Sequence, residues 1–108
     1  MQHRRLGRSA IYVSDICMGT MTFGSQTDEA EAFRILDASL DAGINFFDTA
    51  NVYSLGSSEE IVGKVLKELA PRDELVIATK VHGTMRPGPN GGGLSRKVIM
   101  EQIDASLR

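Results

Sequence analysis

The run Leu75–Val81, LVIATKV, decides the fold, because its apolar residues stand on consecutive positions and do not alternate. A strand with one face in water alternates apolar and polar residues, whereas a parallel strand covered on both faces reads as a continuous apolar run. Two shorter apolar runs precede it, Ile16–Met18 and Ile44–Phe47. The three begin at Ile16, Ile44 and Leu75, about thirty residues apart, a period typical of a repeated supersecondary unit.

Helical patterns fill the intervals. Phe33, Leu36 and Leu40 fall at i, i+3 and i+7, on one face of a helix that Thr27 or Asp28 caps and Gly43 ends. In the next interval Ser57 and Glu60 have capping-box spacing, Ile61, Val65 and Leu69 make the stripe, and Pro71 forbids continuation. A third helix is expected from Ser95, with Val98, Ile99, Ile103 and Leu107 as its apolar positions and no break before Arg108. The leading segment HRRLGRSAIYVS, residues 3–14, reads as a hairpin turning around Leu6–Ser9. The order is therefore hairpin, then β-α-β-α-β-α, and such alternation requires a parallel sheet.

Two architectures have this order. The doubly wound nucleotide-binding sheet carries G-x-G-x-x-G between its first strand and helix. The corresponding segment here, MGTMTFGSQT at residues 18–27, places Gly19 and Gly24 off that spacing. The eight-unit (β/α)₈ TIM barrel needs about 250 residues, and units of about thirty match it. The expectation is an α/β chain, residues 1–108, holding a hairpin at 2–13 and the first three βα units of such a barrel. Three units alone leave two open strand edges and uncovered apolar helix faces, so the chain reads as part of a longer protein.

Composition narrows the function. Twelve basic against fourteen acidic side chains offer no general grip on nucleic acid or anionic lipid. The one basic cluster, His3, Arg4, Arg5 and Arg8, fits a solvated hairpin edge. A single cysteine, Cys17, permits no disulfide framework and reads as a small core residue. With no apolar leader and no membrane-length apolar stretch, the sequence suggests a cytoplasmic soluble protein without nucleic-acid or membrane partners.

Chemistry in parallel α/β folds gathers at the strand C-terminal ends. Gly19-Thr20 follows the first run, Asp48 ends the second with Tyr53 just beyond, and Lys80 ends the third. A phenol, with a pKa of about 10, is a poor acid at neutral pH, and an ammonium beside it favours the phenolate. A carboxylate would keep that ammonium charged. Asp, Lys and Tyr together make a tuned general acid with neither a base-activated nucleophile nor metal-ligand spacing, which suits carbonyl protonation while a cofactor supplies hydride. Each residue also has a plain structural reading. Asp48 can open an Asx turn, Tyr53 can be an amphipathic surface residue, and Lys80 can be a solvated strand end.

FFDTANVY at 46–53, GSSEEIVGKVL at 56–66 and VIATKV at 76–81 together resemble the aldo-keto reductase family, closest to its bacterial and potassium-channel β-subunit branch. RRLGRSAIYVSDICMGTMTFG, residues 4–24, is similar to that family's hairpin and first strand. The resemblance implies a (β/α)₈ barrel that reduces aldehydes or ketones, its small-molecule carbonyl substrates, with NADPH. It implies Tyr53 as proton donor, Lys80 as the group that tunes it, and Asp48 as the partner of Lys80. By it, Gly19, Thr20 and Met21 lie against the nicotinamide and Asp48 reaches its ribose. The family's active-site His ends the fourth strand, so His82 is not that residue.

The segment HGTMRPGPNGGGLS, residues 82–95, is long for a connector on the catalytic face. It reads either as a flap hinged at Gly91–Gly93 or as a tolerated surface insertion. Three functional classes stay in view: the reductase, a non-catalytic NADPH-sensing regulatory subunit, and an inactive truncated fragment. A lyase or aldolase using Lys80 as Schiff base requires a lysine of lowered pKa, opposite to the effect of Asp48.

Overall fold

A computed structural model describes all residues, Met1–Arg108. The hairpin pairs β1 (His3–Arg5) antiparallel with β2 (Tyr12–Ser14), in the register His3 opposite Ser14 and Arg5 opposite Tyr12. A parallel three-stranded sheet follows, ordered β3 (Met18–Gly19), β4 (Phe46–Asp48), β5 (Val76–Ala78). The helices are α1 (Glu29–Asp41), α2 (Ser57–Leu69) and α3 (Arg96–Ser106). None is long and apolar enough to cross a membrane. The molecule forms a slab of 44 × 36 × 19 Å.

The β4 strand shows why the slab has two unlike faces. Successive side chains of a strand point to opposite sides. Phe47 is fully buried in the cluster formed with Phe23, Ala32, Leu36, Ile44, Val62, Val65, Leu66 and Leu75. Its neighbours Phe46 and Asp48 are only half-buried. The helix side is thus the core, and the other side presents Asp48. Register carries this across the sheet, with Gly19 opposite Asp48 and Asp48 opposite Ala78. The hairpin is fastened at the strand N-terminal end. Asn45, just before β4, accepts from Ser14 N at 2.7 Å through Oδ1 and donates Nδ2 to Tyr12 O at 3.1 Å.

Helix starts follow the sequence at two of three places. Asp28 caps α1 by accepting from Glu31 N, and Ser95 caps α3 by accepting from Val98 N. Ser57 is not a cap. Helix α2 begins after Gly56 at φ 102°, with no side-chain cap. The segment before it takes an unusual path, with Ser54 and Leu55 both left-handed at φ 51° and 49°. Pro71 follows the end of α2 as expected, and α3 ends at Ser106, with Leu107 as its C-cap.

The buried stripes are rotated from the apolar spacing. On α1 the buried residues are Ala32, Leu36 and Ser39, while Phe33 is exposed. On α2 they are Ser58, Val62, Val65 and Leu66, with Ile61 and Leu69 at the flanks. On α3 only Val98 and Gln102 are buried, and Leu107 is exposed. Strand β3 starts two residues later than the apolar run, leaving Ile16 exposed. Cys17 is exposed as well, not in the core. Within these residues β3 has β4 as its only neighbour, so nothing covers its other edge or the residues just ahead of it.

The segment at 82–95 is neither strand nor helix, but it is closed upon itself. Met85 N donates to Gly91 O at 2.8 Å and Gly93 N to His82 O at 2.8 Å. A Cβ on Gly91 would stand 1.8 Å from the Arg86 carbonyl oxygen, and one on Gly92 would stand 2.9 Å from Thr84 Cα. Packing therefore demands these two glycines, and Gly93 takes φ +95°.

Candidate active site

Asp48, Tyr53 and Lys80 come together at the C-terminal edge of the sheet. Lys80 lies just past β5, and its carbonyl accepts from Asn51 N at 3.2 Å, which extends the strand pairing to the loop that carries Tyr53. The ammonium of Lys80 makes three contacts, with Asp48 Oδ2 at 2.7 Å, Thr49 O at 2.9 Å and Tyr53 Oη at 3.1 Å. An ammonium has three protons, so all three are directed. It also stands 4.8 Å from the centroid of the Tyr53 ring. Because Lys80 donates to the phenol oxygen, the phenol's own proton is left to point elsewhere.

Partial burial of Lys80 disfavours its charge, but hydrogen bonds with Asp48 and Tyr53 and the charge of Asp48 outweigh it. The net effect raises the lysine pKa above its ordinary value of 10.5. This is a protonated lysine held beside a phenol, with none of the lowering that an imine-forming amine needs. The Lys80 side chain is still 47% exposed, so the trio opens to solvent on one side. Cys17 belongs to the electrostatic surroundings of the site. Burial and then the charge of Asp48 push its thiol up, only partly opposed by Lys80, so it is not an activated nucleophile.

A buried hydroxyl cluster supports Asp48 from behind. Thr20 Oγ1 donates to Asp48 O at 2.9 Å, and Ser58 Oγ donates to Thr20 O at 2.8 Å. With the Ser58 proton so used, the 2.8 Å contact to Thr49 Oγ1 has Thr49 as donor. Thr20 is thus turned inward, away from the open face. Of its neighbours, Gly19 has nothing within 4 Å of where a Cβ would stand, and Met21 is 63% exposed. A second support is Glu59, which accepts from Thr79 Oγ1, next to Lys80, and from Ser106 Oγ on α3. His82 is exposed and strained at φ 111°, and its carbonyl serves the loop closure.

The apolar spacing did not point to Ser58, Glu59 or Gln102. The signal available was a polar residue inside a buried stripe, as Ser58 stands at i to Val62 and Val65 at i+4 and i+7. Gln102 stands at i+4 to Val98 in the same way.

The aldo/keto reductase family profile matches residues 15–108. The chain belongs to that family. It is 47% identical over 110 residues to a probable voltage-gated potassium channel subunit beta of Arabidopsis thaliana, covering all of this chain and 33% of that protein. It is 44% identical over 117 residues to the uncharacterized oxidoreductase YrpG of Bacillus subtilis (strain 168), covering all of this chain and 36% of that protein. Among solved structures, the holo form of aldo-keto reductase AKR11C1 from Bacillus halodurans superposes with a TM-score of 0.86 and 41% identity, over 100% of this chain and 36% of that one. The chain thus spans about a third of the length of the curated relatives it matches. The architecture is that of the hairpin and first three βα units of the family's barrel, and the family is one of oxidoreductases.

Proposed function

We propose that this chain carries the proton-donating part of an NADPH-dependent carbonyl reductase acting on aldehydes or ketones. Since the chain corresponds to about a third of its relatives, the whole protein's activity, substrate and partners are all part of this proposal. The observation that supports it best is the saturated ammonium of Lys80, set between the Asp48 carboxylate and the Tyr53 phenol. A merely solvated lysine would not converge on a carbonyl, a carboxylate and a phenol at once.

The residues at the open edge fit the reactive end of a nicotinamide nucleotide. Gly19 leaves open space beside the trio, Met21 is exposed there, and Lys80 engages only Oδ2 of Asp48, which leaves Oδ1 for a ribose hydroxyl. When bound, the cofactor supplies a hydride to the carbonyl carbon. Tyr53 gives its phenolic proton to the carbonyl oxygen, completing the alcohol. Lys80 steadies the phenolate that is left, and Asp48 keeps Lys80 charged. Thr20 and Ser58 hold the Asp48 backbone. A cytoplasmic location belongs to the same proposal, on the strength of the single unpaired cysteine.

The test is NADPH consumption by the intact protein against a panel of aldehydes and ketones, followed at the nicotinamide absorbance. Turnover of at least one carbonyl with alcohol as product supports the reading, and no turnover of any rejects it. The names of the plant relatives favour a second reading, a regulatory subunit that binds NADPH and modulates a membrane partner. Tight cofactor retention without turnover, together with co-purification of a channel subunit, would select that reading.

A further inference from the structure

The segment that carries Tyr53 is strained. Ser54 and Leu55 sit in the left-handed region, where a side chain costs about 1–2 kcal/mol per residue. Such strain persists only where the surroundings over-determine it. Gly24 allows one close approach, since a Cβ there would stand 2.6 Å from Ser57 Cβ and 3.3 Å from Ser54 Cβ.

A stronger constraint comes from the other side. Asn51, 4% exposed, donates Nδ2 to Gln102 Oε1 at 2.8 Å. Gln102, 8% exposed, donates Nε2 to Gly91 O at 3.4 Å. The Gly91 carbonyl fixes both amide orientations, because it can only accept, so the Gln102 NH₂ must face it and the Gln102 oxygen must face Asn51. Asn51 Oδ1 is left buried without a partner, an arrangement that flipping would not relieve without breaking the bond. Val52, the next residue, meets Gly83 so closely that a Cβ there would lie 2.7 Å from Val52 Cβ. Val52 thus meets the 82–95 loop directly and Asn51 reaches it through Gln102, just ahead of Tyr53.

We propose that Gln102 of α3 is a positioning residue for Tyr53, acting through Asn51, and that the glycine-rich loop is the fixed abutment against which it works. This deepens the reductase reading and rests on it for its catalytic consequence. Gly91 then lets the loop backbone close on Arg86 and Gly83 leaves room for the Val52 side chain, so that one amide can span from the loop to the tyrosine segment.

Tyr12 lies on the hairpin and Tyr53 at the site, so 3-fluorotyrosine labelling of the intact protein, with these two resonances assigned by Tyr12→Phe and Tyr53→Phe, gives a site probe with an internal reference. In Gln102→Met, which keeps side-chain length but removes both amide bonds, the Tyr53 fluorine resonance should move or split while that of Tyr12 stays. The kcat for a carbonyl substrate should fall about tenfold or more, with NADPH affinity unchanged, as expected of a misplaced reacting group. A single unmoved Tyr53 resonance overturns the inference, and so does an equal disturbance of both tyrosines, which marks general loss of packing. If Gln102→Met does not fold, Asn51→Ser removes the same bond from the other end and is judged by the same two resonances. Were the wild-type protein to turn over no carbonyl, the reductase reading would fail, while the fluorine comparison would still decide the role of Gln102.

Discussion

The ammonium of Lys80 stands 3.1 Å from the hydroxyl of Tyr53 and 2.7 Å from the carboxylate of Asp48, so one lysine joins the ends of two neighbouring parallel strands to the loop between them. If the phenol is the acid, removing its hydroxyl should abolish reduction and leave the rest intact. Tyr53→Phe is expected to lower kcat by about 10²–10⁴, the usual worth of a positioned general acid. NADPH binding, followed by fluorescence titration, should be unchanged. A variant that retains full turnover would remove Tyr53 from the chemistry.

Lys80 makes a prediction about alkaline stability whose sign is fixed by its environment. Its folded pKa is raised above the ordinary 10.5, so its stabilising contribution is complete below that value and is lost as pH rises through the higher folded value. Thermal midpoints measured above about pH 10 should fall more for the wild type than for Lys80→Met. Lys64, also raised through Glu29, is common to both proteins and cancels in the difference. At neutral pH the variant should change stability by no more than about 1 kcal/mol, because the pair is half exposed. Its loss of reductase activity should be far larger than that.

Two glycines should answer oppositely to alanine. Gly91→Ala drives a methyl into the Arg86 carbonyl and should cost about 1–3 kcal/mol in a denaturant titration. Gly19→Ala meets nothing within 4 Å and should stay within about 0.5 kcal/mol of wild type. If Gly19 leaves space for the nicotinamide, that same variant should weaken NADPH binding. A Gly19→Ala protein with unaltered cofactor affinity would place the nicotinamide elsewhere.

Ser58→Ala tests the support behind Asp48. It leaves the Thr49 hydroxyl, 2% exposed, without its acceptor, and frees the Thr20 carbonyl. Stranding buried polar groups in this way costs about 1–3 kcal/mol. Ser58→Cys, of similar size and still able to make weak hydrogen bonds, should lose less.

The strand period and the residues at the strand ends were legible because apolar runs and their spacing report directly on a parallel sheet. Asp48 and Lys80 stand out as polar residues at the ends of apolar runs, and Tyr53 by its place just beyond Asp48. The phase of the helices was less legible. Ala32 and Ser39 are buried on α1 in place of Phe33 because small side chains let a helix approach closely, and a hydrophobicity pattern gives large residues priority. The start of α2 was displaced by one residue because Ser54 and Leu55 adopt a conformation that neither residue type advertises. The exposure of Cys17 is not legible in its apolar neighbours, because these residues place no second strand beside β3 to cover it. The tight packing at Gly91 and Gly92 is not legible in the triplet, because sequence shows that a side chain is absent without showing what occupies its place.

The bonds that assemble the trio join residues 32 and 27 positions apart along the chain. Each such closure must first overcome a chain entropy whose length-dependent part is about 3 kcal/mol for a loop of this size. Contacts of this range are slower to form than local turns and helices. The Asp48–Lys80 pair therefore exists only in molecules whose β4 and β5 have docked in register. Forms of this chain in which β4 and β5 have not docked would keep the Tyr53 phenol but lack the ammonium beside it.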